Sequence, residues 1–516
     1  MIEYCIPAAR LGGAGLKRET FILMRHHSVL RNLLVGLVVA LGVSGVGTQG
    51  IGLAAEGPQG SHGKRSLIEM APELYYTARR YDKFYGGPNS THGNILERSS
   101  LLGNPGGFRD VLINHGIYLD FGLTQFLQGN ASGGADTSST PRINGSVDGW
   151  LWLDTGKANL WSGGGFFLHG EGRWRPDFNS DVGSLLPANF DSTMPNPNAN
   201  DPSVAFSEWY LIQSLPANFL LGAGKIDMAA WADVNMFANR ERNQFQYTGL
   251  VSNPLAGVFY PYTSIGGWLT WVPNKTHTLT AVYGSTDSSA TEASFDKFLD
   301  GKNSYAGQYI FATEIANRPG RYLLAGIYST GNLPGFAISQ RWGVNRKTVG
   351  LSSLEDVIIN VPVPKQKVES QNYTVFGNFA QYLWVKDDSA EENPHSGLTH
   401  HNVPPVGIGL FGRAGWAPKD RNAIDQFYSF GIGGNGMLIP GRNDDQWGIG
   451  WAGSHISSDL RDFPTGLRSW EHAGELFYNF WVTPAVHLTL DTQIIRPAAK
   501  ILDTAYTFGG RLQLDF

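Results

Sequence analysis

The last eleven residues, Tyr506 to Phe516, alternate in character from one residue to the next. Tyr506, Phe508, Leu512, Leu514 and Phe516 fall on one side of an extended strand, while Thr507, Gly509, Arg511, Gln513 and Asp515 fall on the other. A strand with an apolar, aromatic face and a polar, charged face suits a wall between lipid and water, where the two kinds of residue alternate. A half-buried strand of a soluble sheet has the same period, so the rest of the chain must discriminate.

Period-two alternation begins near residue 117 and persists. Ile117, Leu119, Phe121 and Leu123 oppose Tyr118, Asp120, Gly122 and Thr124, and Phe166, Leu168 and Trp174 oppose His169, Glu171, Arg173 and Arg175. Leu220, Ile226 and Met228 oppose Lys225 and Asp227. Leu476, Tyr478, Phe480 and Val482 oppose Glu475, Asn479 and Trp481, and Val486, Leu488 and Leu490 oppose His487, Thr489, Asp491 and Gln493. The connections alternate too. Short turns are expected at 155–164, 215–218, 273–276, 316–320, 440–445 and 483–485, interleaved with long polar stretches at 128–145, 176–205, 229–263, 286–304 and 331–371. Short periplasmic turns and long extracellular loops are the asymmetry of outer-membrane barrels. The stretch 385–405 breaks the rule, being long where a turn is due. The expected fold is an all-β, transmembrane, antiparallel β-barrel of about sixteen strands over 111–516.

The other end carries an export signal. Arg25 and Arg31 precede an apolar run, Leu33 to Val43, and small residues follow to Ala54 and Ala55. A charged leader, a short apolar core and a small-residue cleavage region form a secretory signal peptide, assigned to 1–55. The apolar run is about a dozen residues, short of the roughly twenty a spanning helix needs. A start at Met24 and a long leader both account for residues 1–23. Residues 56–110 are expected to form a periplasmic lead-in with a short helix near Phe108 to Asn114, since Pro105 and Gly116 match helix start and stop chemistry.

Composition excludes several alternatives. Removing 1–55, which holds five of the 39 basic and two of the 44 acidic residues, shifts the formal net charge from −5 to −8. No basic stripe supports nucleic-acid binding. The single cysteine, Cys5, falls in the leader, so the exported chain has no disulfide and no thiol chemistry. Charged residues make up 16% and aromatic residues 12%, with 65 glycines. No apolar run beyond the leader approaches spanning length, and without spanning helices only a closed barrel satisfies every backbone group in lipid. Trp150, Trp152, Trp174, Trp209, Trp268, Trp271, Tyr478 and Trp481 sit near strand ends, where interfacial aromatic girdles belong.

Several stretches resemble the carbohydrate-selective porin (OprB) family. Leu101 to Arg109, leading to His115-Gly116-Ile117, is similar to the family's segment before the first strand, although Asn104-Pro105 stands where family members usually have Asp-Trp. Gly407 to Arg413, Phe427 to Ile432, Leu438 to Asp445 with Gly448-Ile449-Gly450, and Glu475 to Pro484 with Asp491-Thr492-Gln493 resemble its later strands and closing hairpin. The resemblance implies a sixteen-stranded outer-membrane channel for diffusive sugar uptake, narrowed by inward-folded loops.

A sugar pore needs wall side chains that pair donors and acceptors for hydroxyls. The candidates are His169, Glu171, Arg173 and Arg175 on the third strand and Lys225 and Asp227 on the fifth. Trp231, Arg240, Glu241 and Arg242 join them from the following loop, expected to form the constriction. No catalytic group, cofactor or metal is expected. His395, His400 and His401, near Glu391 and Glu392, lie in a loop with nothing to fix a ligand geometry, and 196–201 lacks calcium-ligand spacing. The glycine run Gly431 to Gly436 lies in a strand pattern, so it is not a nucleotide cradle. The expected partners are a carbohydrate and outer-membrane lipid, with a monomer and a homotrimer equally compatible. A hydrolase barrel would need a Ser, a His base and an acid in reach, and no arrangement of His487 and Asp491 supplies it. An apolar-solute channel would need a less charged interior, and an energy-coupled receptor a longer segment for its plug.

Overall fold

Sixteen strands close on themselves in sequence order, and β1 pairs with β16 to complete the ring. The computed structural model describes residues 91–138, 141–174, 178–191, 203–228, 233–238, 242–274, 276–334, 368–386, 405–461 and 466–516. The first half comprises β1 (Ile117–Gly134), β2 (Arg142–Asp154), β3 (Gly164–Trp174), β4 (Ser203–Leu215), β5 (Phe219–Asp227), β6 (Thr263–Asn274), β7 (His277–Ser285) and β8 (Asn303–Ile315). The second half comprises β9 (Arg318–Pro334), β10 (Val368–Val385), β11 (Gly407–Trp416), β12 (Ile424–Asn435), β13 (Gln446–Ile456), β14 (Trp470–Thr483), β15 (Val486–Arg496) and β16 (Asp503–Asp515). Every pairing is antiparallel between neighbours. The seam runs from Gly122 opposite Asp515 to Gly134 opposite Asp503. Closure leaves no sheet edge unpaired, as a spanning β structure in hydrocarbon requires. Among the described residues no helix is long and apolar enough to cross a membrane.

The expected alternation holds on the last strand. Tyr506, Phe508 and Leu512 are exposed, whereas Thr507, Arg511, Gln513 and Asp515 are buried. Leu488, Leu490, Ile494, Leu476, Phe430, Ile449, Leu324 and Val375 extend the exposed apolar belt around the wall. An apolar belt on strands whose other face is polar is the signature of a barrel in lipid.

Two expectations need correction. The stretch 128–145 is not all loop, because β1 runs on to Gly134 and β2 starts at Arg142. Polar residues such as Gln128, Asn130 and Asn144 stay on the strands because their side chains find partners inside the barrel. The aromatic girdle is also smaller than expected. Trp271 is on the outer face, but Trp152 and Trp268 are buried against the inner wall. There Phe167 stacks on Tyr210 at 4.9 Å, and Tyr210 meets Trp268 edge-on at 5.2 Å. Glycine makes room for them, since a Cβ on Gly165 would fall 2.1 Å from Trp152 and one on Gly222 2.1 Å from Trp268.

The lead-in helix, α1, spans Phe108–Asn114. Asn104 Oδ1 accepts from the Arg109 backbone N–H at 3.0 Å, and Asn104 Nδ2 donates to Asp110 at 2.6 Å. Asn104 thus serves the first turn of the helix. Arg109 donates to the carbonyl of Phe516 at 2.5 Å, and the Leu101 N–H to that of Asp515 at 2.8 Å. The helix is fastened to the end of the last strand.

Candidate functional site in the barrel lumen

The connection between β5 and β6 folds into the barrel instead of outward. Its residues Phe237, Phe245, Tyr247, Leu250, Val251 and Leu255 join a buried apolar cluster with wall residues of β10 to β16, including Tyr382, Phe411, Phe427 and Phe477. Phe245 lies 4.7 Å from Phe477 and 5.4 Å from Phe411, and Phe237 lies 4.8 Å from Tyr382. Wall glycines form the seat. A Cβ on Gly409 would lie 2.4 Å from the Phe237 ring, and one on Gly448 2.8 Å from Phe245. Gly409, Gly415, Gly433, Gly448 and Gly450 are therefore a docking surface for the loop, where a side chain would intrude.

Charged wall residues fasten the same loop. Arg413 pairs with Asp233 at 2.7 Å and donates to the carbonyls of Leu250 at 3.0 Å and Val251 at 3.1 Å. Glu475 accepts from the backbone N–H groups of Gln246 and Tyr247 at 2.5 and 2.9 Å. Arg511 donates to the Gln244 carbonyl at 2.8 Å. Glu471 accepts from Leu185 and Leu186 of the β3–β4 connection at 2.7 and 3.0 Å, and from the Tyr247 hydroxyl at 3.3 Å. Burial first, and then Glu471, push the Tyr247 hydroxyl well above its ordinary range, so it remains a neutral donor. A buried polar group is tolerated when it is hydrogen-bonded, and each of these side chains makes its hydrogen bonds to the loop it holds.

The opposite wall carries a compact network on β2, β3 and β4. His169 Nε2 lies 2.9 Å from Asp148 and Nδ1 lies 3.1 Å from Glu208. Arg173 reaches Glu171 at 2.9 Å, Asp191 at 3.1 Å and Asp148 at 3.4 Å. Arg242, from the inward loop, closes on Asp148 at 2.7 Å and lies 4.6 Å over the Trp150 ring, while Trp150 stacks on His169 at 5.3 Å. The structure thus brings together His169, Glu171, Arg173 and Arg242. The first three are nearly sealed, at 4%, 2% and 5% exposure, whereas the Arg242 side chain keeps 15%.

Two candidates stand elsewhere. The register puts Lys225 opposite Trp209 and Ile265, on the outer side of the wall. Its ammonium donates to the backbone carbonyls of Ala290 at 2.7 Å and of Glu292, both in the β7–β8 connection. Asp227 shares that side of β5, and its backbone N–H donates to Glu208 at 2.9 Å. Arg175, Trp231, Arg240 and Glu241 lie outside the described residues, as do 196–201, His395, His400 and His401. Asp148, Asp191 and Glu208 went unnoticed in the sequence. Glu208 is shifted inward by an irregularity at Ser207, where the β3–β4 register slips.

Residues 201–516 match the family described as "Carbohydrate-selective porin, OprB family". The chain belongs to the carbohydrate-selective porin family. The high-pH structure of Pseudomonas putida OprB superposes with a TM-score of 0.63 at 16% identity, covering 81% of this chain and 98% of that one. The low-pH structure of the same protein gives 0.48 at 13% identity over the same shares. The outer-membrane channel DcaP of Acinetobacter baumannii gives 0.43 at 8% identity, over 78% of this chain and 97% of that one. No curated protein matches the chain. As a member of this porin family, the protein is an outer-membrane β-barrel channel. The matched region takes in the wall that seats the inward loop, but Asp148, His169, Glu171 and Arg173 lie ahead of it.

Proposed function

We propose that this porin admits monosaccharides of the glucose class by passive diffusion, and that the space beside Arg242 and Trp150 selects them. The observation that carries the reading is the inward loop. It is seated on β10 to β16 by Arg413, Glu475 and Arg511 and reaches the opposite wall through Arg242. A bore narrowed by a fixed loop discriminates by size and by the hydrogen bonds that its lining offers. Arg242 presents fork-shaped donors that suit vicinal hydroxyls. His169, Glu171, Arg173 and Asp148 hold Arg242 and Trp150 in place. The chain reaches the outer membrane through removal of the leader at 1–55. Transit needs no nucleophile and no energy coupling.

The test is a planar bilayer carrying the purified protein, with ion current recorded against a panel of sugars. Glucose-class sugars are expected to reduce the current saturably and to equilibrate across liposomes. Equal passage of sugars and of uncharged solutes of the same size that lack vicinal hydroxyls would overturn the selectivity. Mass spectrometry of the exported protein checks the leader.

A further inference from the structure

The outer face of β14 and β15 changes character at one end. The tight turn between Thr483 and Val486 joins the two strands on the side of the short connections. Trp470 and Arg496 therefore stand at the other end, which is the extracellular one. Along β15 the outward residues Leu488, Leu490 and Ile494 are apolar, and the next one, Arg496, is also exposed. At about 3.3 Å per residue and a tilt of about 40°, the 11 residues of β15 rise roughly 25 Å, the height of a lipid-facing apolar band. Arg496 thus sits where hydrocarbon gives way to headgroups.

Its neighbours form a shelf of aromatic and basic groups. Arg496 lies opposite His472 in the β14–β15 ladder. His472 stacks on Trp470 at 6.0 Å and lies 5.4 Å from Trp451, while Trp470 lies 4.9 Å from His455. Asp425 holds His455 at 2.6 Å. Arg468, just ahead of β14, donates to the carbonyls of Pro497 at 3.0 Å, Leu502 at 3.1 Å, Lys500 at 3.2 Å and Ala499. Its guanidinium is thereby fixed against the β15–β16 connection. Burial first, and then the charge of Arg496, lower Arg468 from its ordinary value, with Asp503 opposing them. Among the described residues neither Arg468 nor Arg496 has a carboxylate within ion-pair distance. Other cations at this end are answered: Arg142 by Asp181 at 2.7 Å, Arg421 by Asp420 at 3.2 Å and Lys419 by Asp459 at 3.3 Å.

We propose that this face binds one phosphorylated lipid of the outer leaflet, its phosphate on Arg496 and Arg468 and its acyl chains on the wall below. Two guanidiniums that repel one another and lack a carboxylate call for an anion, and their planar forks match phosphate oxygens. Trp470 supplies an amphipathic ring at headgroup level. The wall beneath leaves room for a chain. A Cβ added to Gly474 would meet nothing nearer than 3.9 Å, and one added to Gly510 nothing nearer than 3.8 Å. Ile494 stands opposite Gly474 and Leu490 opposite Gly510, giving that depression apolar sides. A free anion has no use for such a wall, whereas a lipid uses both parts.

The experiment takes the exported protein in detergent, stripped of co-purified lipid, and reads lipid retention by native mass spectrometry. The probes are lipid A with both phosphates, the same lipid dephosphorylated, and inorganic phosphate. One phosphorylated lipid per barrel is expected to bind saturably, and the dephosphorylated form at least tenfold more weakly. Arg496→Gln should weaken binding of the phosphorylated lipid roughly tenfold. Lys419→Gln, which removes a cation already paired with Asp459, should leave it unchanged. Heat-modifiable gel mobility verifies folding, and should Arg496→Gln fail to fold, the two lipids compared on the wild type decide. Equal retention of both lipids, unchanged binding in Arg496→Gln, or inorganic phosphate bound as tightly as the lipid would each overturn the site. So would lipid-free dimers or trimers that Arg496→Gln dissociates, since the face would then belong to a second copy of the chain.

Discussion

Arg413 Nε on β11 and Asp233 Oδ2 on the inward loop lie 2.7 Å apart, with both side chains wholly buried. They join two segments 180 residues apart in the chain, and neither has water to fall back on. Removing one partner strands the other charge, at a cost of about 3–5 kcal/mol. That cost falls at the junction of loop and wall, while the strand ladder stays intact. Arg413→Ala and Asp233→Ala are therefore expected to leave a folded barrel whose loop no longer holds its seat. Single-channel conductance should rise and become noisy, and sugar block should weaken. The double variant should resemble each single one, because the two residues act as a unit. Unchanged conductance in both variants would show that the apolar contacts alone hold the loop.

The glycine seat can be tested without touching a charge. Gly409→Val and Gly448→Val put side chains where Phe237 and Phe245 now lie, with even the first carbon at 2.4 and 2.8 Å. Overpacking of this kind costs about 1–3 kcal/mol, and the loop is the softer party. Both variants should widen the channel as Arg413→Ala does. Gly307→Ala is the control, since nothing lies within 4 Å of its new carbon. Its conductance should match the wild type.

These tests bear on what period-two alternation conveys and what it leaves out. The side of each strand is readable wherever outer residues are apolar and inner ones polar, as on β15 and β16. The pattern fails where an inner residue is apolar because a loop packs on it. Phe477, Phe411, Trp152 and Trp268 face inward for that reason or because they pack on one another, and nothing local separates them from lipid-facing residues. Lys225 fails in the opposite sense, since its charge on the outer side is answered by carbonyls of a loop some 65 residues onward. Part of the charged network was legible as His169, Glu171, Arg173 and Arg242, which share a strand or the long loop. Asp148 and Glu208, 21 and 39 residues from His169, were not. Asp148 lies on the same side of β2 as Trp150, and that alternation was the one available signal.

Arg242 is expected to set ion preference as well as sugar affinity. It is the described cation of the network with the more exposed side chain, and it answers Asp148 in a group whose carboxylates outnumber its guanidiniums. Arg242→Ala removes a positive charge beside the bore and should move the reversal potential toward greater cation selectivity. It also uncovers the Trp150 face on which the guanidinium lies at 4.6 Å. Sugar block should weaken, whereas Arg242→Lys, which keeps the charge and loses the fork, should restore the ion preference but not the block. Recovery of both by lysine would show that charge alone suffices.

The lipid face makes a depth-dependent prediction that a water-exposed surface would not. Phe508 sits midway along β16 and is 61% exposed, while Val482, 58% exposed, sits at the turn end of β14. In water, arginine at either position would be accommodated equally. In a bilayer, arginine at the midplane costs about 2–4 kcal/mol, falling to about 0–1 kcal/mol near the interface. Phe508→Arg should lower the stability of the vesicle-inserted protein by the larger amount in a urea titration, and Val482→Arg by little. Equal, small effects at both positions would mean that hydrocarbon does not surround this wall.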